Sequence, residues 1–284
     1  MDHLTIFALG PLRVELNGQP LQTSRHKALA LLVYLSMQPE RQSRETLASF
    51  LWPEYGQEKA LAYLRRTLWE LRSLLGDGWL DVDREKIGVS LDSDLSLDVT
   101  QFQTSLASIQ NHAHLDSSVC PECLANLHKA ALLYRGDFLT GFRLRDSADF
   151  DDWQFFQQEA LRREYADVLQ KEVKLFVQNK LLAEAVAFAQ RWLALDTLNE
   201  EAHRLLMITY ALNEQRHIAL RQYQECQRIL QAELGIAPEP ATTALFEAIV
   251  SGQYAREVEG LPDPSEKPSN TALIQSPSMA CREK

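Results

Sequence analysis

Apolar residues return every three or four positions through most of this chain, and only its first hundred residues interrupt that rhythm with short alternating stretches. Between Glu58 and Leu75, in EKALAYLRRTLWELRSLL, Leu61, Leu64, Leu68, Leu71 and Leu75 fall on one stripe. That spacing predicts an amphipathic helix with the leucines in a core. The same pattern turns Lys59, Tyr63 and Arg66 outward, with Arg65 and Arg72 flanking them. Long guanidinium side chains on such a face can reach a phosphate or the edge of a guanine, whereas Glu70 would repel a phosphate. Taken alone, this helix reads more readily as a solvated surface helix with ordinary charges, so its neighbours must decide.

The pattern before it is mixed. Leu4 to Leu9 and Leu12 to Leu16 are β-prone segments split by Gly10-Pro11 and closed by the turn pair Asn17-Gly18. Ser24 is the expected cap of a helix from Arg25 to about Met37, ended by Pro39, and Ser43 opens a shorter helix that stops at Trp52-Pro53. After Gly76-Asp77-Gly78 the period changes to two, and Trp79–Val82 and Ile87–Leu91 flank Asp83-Arg84-Glu85-Lys86 as a hairpin. Asp92 to Thr100 is an acidic and polar connector. From there the period is helical, with segments expected at about 101–110, 124–134, 153–178, 181–194, 200–213 and 216–234. Asp149, Asp151 and Asp152 stand just before the long one, where negative charge suits a helix N-terminus. Phe176 and Tyr210 lie 34 positions apart, as do Ala185 and Ala219, which is the tetratricopeptide period. Beyond Gln253, Pro262, Pro264, Pro268 and Pro277 break any helix, and 253–284 is expected to be a disordered tail.

Charge changes the picture locally. The chain carries a net charge of −10, which argues against a protein that coats nucleic acid non-specifically. Between Gln22 and Leu75, however, eight Lys/Arg face five Asp/Glu, 8 − 5 = +3. Positive charge is concentrated where the candidate reading helix lies. With 284 residues, two domains and a tail are expected. No apolar run is long enough to span a bilayer and no secretory signal opens the chain, so a cytoplasmic protein with no membrane partner is expected.

A small sheet, three helices and a hairpin in this order resemble the OmpR-type winged-helix domain, whose third helix enters the major groove and whose hairpin wing touches the adjacent backbone. RHKALALLVYLSMQP, SRETLASFLWPE and LRRTLWELRSLLG resemble the winged helix of bacterial activators of the antibiotic-regulatory type. LYRGDFLTGF at 133–142 and the run at 200–249 resemble the bacterial transcriptional activator domain, a helical, tetratricopeptide-like module that follows such a winged helix. Within the first of these, Tyr134, Phe138 and Phe142 are expected as packing anchors, and Gly136 and Gly141 as turn residues. The resemblance implies a mainly α fold with small β-sheets: a winged helix-turn-helix at 1–97, then an all-α tetratricopeptide-like domain at 98–252. It implies a sequence-specific transcriptional regulator, an activator, that binds double-stranded promoter DNA, with a homodimer and RNA polymerase as further partners. Lys59, Arg65 and Arg66 are the candidate phosphate or base contacts, Tyr63 a base-edge or methyl contact, Arg84 and Lys86 wing contacts, and Arg44, with Arg25 and Lys27, backbone contacts. Relatives begin this helix with Ala-Arg-x-Asn-Leu-Arg. Here Leu61 and Tyr63 replace the Arg and Asn while Leu64-Arg65 matches, so a relative's operator does not transfer.

One constellation stands outside this reading. His112 and His114, then Cys120 and Cys123, offer a mixed nitrogen and sulfur set that would close a tetrahedral structural zinc site. Free loop thiols beside solvated histidines, or a redox pair, are the alternatives. No nucleotide-binding loop, nucleophile elbow or H-E-x-x-H pair occurs, so an enzyme is not expected. The rival reading is a tetratricopeptide-type adaptor that binds proteins and not DNA.

Overall fold

A computed structural model describes residues 2–111 and 121–253. The chain opens with β1 (His3–Phe7), β2 (Arg13–Leu16) and β3 (Gln19–Pro20), in which Leu4 and Ile6 point into the core and their neighbours do not. The Asn17-Gly18 turn joins β2 to β3 with both residues at positive φ. Then come α1 (His26–Met37), β4 (Gln42–Ser43), α2 (Arg44–Leu51), α3 (Gln57–Leu75), β5 (Leu80–Val82), β6 (Lys86–Val89) and β7 (Asp94–Leu97). Among the described residues two sheets form, in the orders β3-β2-β1-β7 and β4-β6-β5.

Two expectations need correction here. The supposed acidic connector contains β7, which runs parallel to β1 from His3↔Asp94 to Ile6↔Leu97. Its short polar sequence hides a strand because its ladder and the burial of Leu97 supply what its composition lacks. Helix α1 begins one residue later than expected. Arg25 occupies the cap position without a side-chain cap bond, and the Arg25 N–H donates to the Thr23 hydroxyl. Ser43 does cap α2, accepting from the Thr46 N–H at 3.0 Å.

The other elements of the described residues are helices: α4 (Asp98–Asn111), α5 (Pro121–Leu133), α6 (Ala148–Gln178), α7 (Leu182–Leu195), α8 (Glu200–Leu212), α9 (Arg216–Glu233) and α10 (Pro240–Ser251). Asp149, Asp151 and Asp152 lie inside α6, in and just after its first turn, not ahead of it. The repeat extends to the backbone. Lys180 and Glu214, 34 positions apart, both take positive φ, and Leu181 N–H to Phe176 O is matched by Gln215 N–H to Tyr210 O, each 2.8 Å. Ala185 on α7 and Ala219 on α9 are both fully buried. Helix α10 was not anticipated behind a proline-rich stretch. Pro240 sits at its first position, where no N–H is needed, and the Glu200 carboxylate accepts from the Glu239 N–H and the Thr242 hydroxyl.

One continuous apolar core runs through both halves, and the seam between them is fully engaged. Asp98, 3% exposed, accepts the Ala8 and Leu9 N–H groups at 2.8 and 3.1 Å and pairs with Arg135 at 2.8 Å. Burial pushes its carboxyl up, opposed by those two amides and by the guanidinium. Backbone bonds from Leu139 N–H to Ala8 O and from Thr140 N–H to Gly10 O continue the seam. Gly10 has φ +126°, and a Cβ on Gly136 would stand 3.4 Å from the Gly10 Cα. Gly136 lies in the bend between α5 and α6 at ordinary contact distance from Gly10, and Gly141 has φ +76°. Tyr34, Phe50, Phe150 and Trp153 interlock across the same boundary at ring separations of 4.5 to 6.2 Å.

Candidate nucleic-acid interface

Helix α3 buries Ala60, Leu64, Thr67, Leu68, Leu71 and Leu75. Leu61 lies at the edge of that stripe and is half-buried. The Trp79 indole N–H donates to the Leu75 carbonyl at 2.9 Å and fixes the helix end against the start of the hairpin. The opposite face is free: Ala62, Arg65, Arg66, Trp69 and Ser73 recur there at helical spacing, all exposed.

The predicted contact residues divide into two groups. Arg65 makes no ion pair among the described residues. Arg66 is 70% exposed and reaches back only to Glu70, 3.2 Å away. Glu70, expected to repel phosphate, is 12% exposed and also receives Arg25 Nη1 at 2.5 Å, so its charge is masked by two guanidinium groups. Lys59 is exposed with its ammonium 4.3 Å above the Tyr55 ring. Tyr63 is not turned out as expected. It is half-buried against Trp52 and Tyr55, with ring centroids 6.1 and 5.0 Å away, because those rings offer it an apolar shelter that helix periodicity alone does not reveal. A shallow depression of about 530 Å³ lies over the first turns of α3, lined by Gly56, Gln57, Glu58, Lys59, Ala62 and Arg65.

The hairpin is braced from within. Asp83 accepts the Glu85 and Lys86 N–H groups, each at 2.7 Å, and those amides hold its carboxyl down at about 2. Arg41 pairs with Asp81 at 3.2 Å and with Asp83, and Arg44 donates to the Asp83 carbonyl at 2.9 Å. A Cβ on Gly88 would come within 2.7 Å of Arg41 Cγ, so glycine lets Arg41 lie across β6. Arg84 and Lys86 project from the tip, exposed and without ion pairs among the described residues. Of the basic residues expected to meet a phosphate backbone, Arg44 thus supports the wing and Arg25 screens Glu70. Lys27 donates to the Leu51 carbonyl at 2.8 Å, with burial lowering its ammonium.

Sequence reasoning missed Trp69, Arg41 and the Asp98–Arg135 pair. Trp69 stood one turn beyond Arg65 and Arg66, and that spacing was available. Of the four candidate zinc ligands, His112, His114 and Cys120 lie outside the described residues, and Cys123 is buried in the first turn of α5. Among the described residues no helix is long and apolar enough to cross a membrane.

Known proteins resemble the chain over most of its length. The regulatory protein AfsR of Streptomyces coelicolor is 26% identical over 252 residues, which cover 87% of this chain and 24% of that protein. The transcriptional regulatory protein MoaR1 of Mycobacterium tuberculosis is 24% identical over 253 residues, 85% of this chain and 78% of its own length. The chain therefore spans about a quarter of the AfsR relatives and most of MoaR1. The solved structure of Mycobacterium tuberculosis EmbR in complex with a low affinity phosphopeptide shares the fold, with a TM-score of 0.69 at 20% identity over 91% of this chain and 69% of that one. The family model of the bacterial transcriptional activator domain matches residues 97–250, more than half of the sequence, so the chain belongs to the bacterial transcriptional activator domain family.

Proposed function

We propose that this chain is a cytoplasmic, sequence-specific transcriptional regulator, an activator, whose residues 1–97 bind double-stranded promoter DNA through α3. The observation that carries the reading is the outer face of α3. Arg65 and Arg66 stand exposed there while Glu70, one turn beyond them, is covered by Arg25 and Arg66, and the exposed Glu58 stands at the helix start beside Lys59. With the Glu70 charge paired, the middle of the face, at Arg65, Arg66 and Arg72, can meet a polyanion although the whole chain carries −10. Arg65 and Arg66 supply phosphate or guanine contacts and Lys59 a phosphate contact, while Arg84 and Lys86 bring the wing onto the adjoining backbone. Tyr63 acts from the rim of its aromatic pocket, and Arg44 acts through the wing it braces. The helical half, 98–252, serves dimerisation or contact with a signal or RNA polymerase.

Selection from random duplex DNA tests this. The wild-type chain is expected to enrich a defined sequence at moderate salt, and the Arg65→Ala/Arg66→Ala variant to lose that enrichment. Failure of the wild type to enrich any sequence favours the adaptor reading, and equal enrichment by both proteins removes α3 as the reading element.

A further inference from the structure

The side chain at the centre of the exposed α3 face is not a cation. Trp69 is 69% exposed, and among the described residues it makes no ring or cation contact. The other four tryptophans are sheltered: Trp52, Trp79 and Trp192 are buried and Trp153 is half-buried. A large apolar ring is normally packed, because leaving it in water forgoes the free energy of burial. On the helix, Trp69 follows Arg65 by four positions and Arg66 by three, so the indole shares one surface strip with both guanidinium groups, and Arg72 follows it by three.

We infer that Trp69 is a specificity-determining residue that packs against thymine C5-methyl groups in the major groove. This rests on the DNA-reading assignment above and adds the class of base edge that the helix prefers. The chemistry follows from what the groove presents. Phosphates, guanine O6 and N7 and the other base-edge donors and acceptors match arginines. The thymine methyl is the apolar group on the major-groove edges, and it matches an indole. Charge selects DNA over other occupants. A second copy of this face would set Arg65, Arg66 and Arg72 against their own equivalents, which repels. With Glu70 paired, Arg65, Arg66 and Arg72 make the surroundings of Trp69 cationic, and the exposed Glu58 lies about three turns away at the helix start. A target with thymine opposite the middle of α3, next to a base pair read by Arg65 or Arg66, satisfies both kinds of side chain together.

The test uses the full chain and the duplex that it enriches from random DNA, compared with the same duplex carrying uracil for each thymine in turn. Uracil keeps every hydrogen-bonding group and deletes only the methyl. Wild type should lose about fourfold in affinity for each methyl the indole covers. Trp69→Ala should bind the thymine duplex about tenfold more weakly and no longer distinguish thymine from uracil, whereas Trp69→Phe should still discriminate. Tryptophan emission of the wild type should change on binding, and that of Trp69→Ala should not. Undiminished affinity in Trp69→Ala, or unchanged thymine discrimination, overturns the inference while leaving α3 as a reading helix. A wild type that enriches no duplex ends the DNA reading itself, so the two failures are distinct.

Discussion

The seam between the two halves and the outer face of α3 use the same residue types to opposite ends. At the seam, Arg135 meets Asp98, two backbone amides complete the carboxylate, and Tyr34, Phe50 and Trp153 pack ring on ring. On α3, Arg65 makes no ion pair among the described residues and Trp69 stands in solvent. Arginines and aromatics that hold the fold are satisfied from within it, and those left unsatisfied in a row on one rigid helix await a partner. The seam also fixes where that row points, since the helical half is bonded to the strand end at Ala8–Gly10.

Substitutions can break this contrast from either side. Asp98→Ala should have the largest effect, because it strands the buried Ala8 and Leu9 amides and removes the partner of Arg135. A loss of about 3 kcal/mol is expected in urea unfolding. A loss below about 1 kcal/mol would show that the seam does not hold the halves together. Gly10→Ala should cost about 1–2 kcal/mol, since φ +126° strains any side chain whatever the space around it. An unchanged midpoint would deny that this backbone conformation is required. Arg84→Ala should leave unfolding within about 0.5 kcal/mol and lower the salt slope of DNA binding by about 0.9, the share of one phosphate. An unaltered slope would take the wing tip off the backbone.

The pH response of the wing is the smallest effect and has a definite sign. Asp83 has a folded value near 2, below the ordinary carboxylate value of 3.8. Its contribution is therefore fully present above about pH 4 and is lost as pH falls through 2. Exchange protection of the Glu85 and Lys86 amides should be flat from pH 8 to pH 5 and weaken only in strong acid. Weakening already at pH 5 would contradict the turn geometry.

Much of this was legible beforehand, for physical reasons that mark where legibility ended. The α3 stripe and the 34-residue repeat follow from periodicity, and periodicity is a local property that tertiary contacts rarely overturn. Strand β7 and the position of Tyr63 were not legible. DLSL has no alternation long enough to announce a strand, and nothing near Tyr63 in sequence says that Trp52 and Tyr55 will close around it. Arg44, Arg25 and Lys27 are indistinguishable from Arg65 by composition. Their partners, Asp83, Glu70 and the Leu51 carbonyl, set them apart by giving each a contact within the fold. The unexpected Trp69 carries the complementary lesson, because a position with no partner is invisible until the rest of the surface has been paired.

The central claim is that α3 carries its exposed cations for DNA and not for stability. It is tested most directly by titrating the selected duplex with wild type and with Arg65→Ala/Arg66→Ala over a salt series, with urea unfolding of both proteins alongside. The account predicts an affinity loss of about thirtyfold or more, a shallower salt slope, and unfolding free energies within about 0.5 kcal/mol of each other. Equal affinities at every salt concentration, or a loss of binding that merely follows a loss of folding, would contradict it.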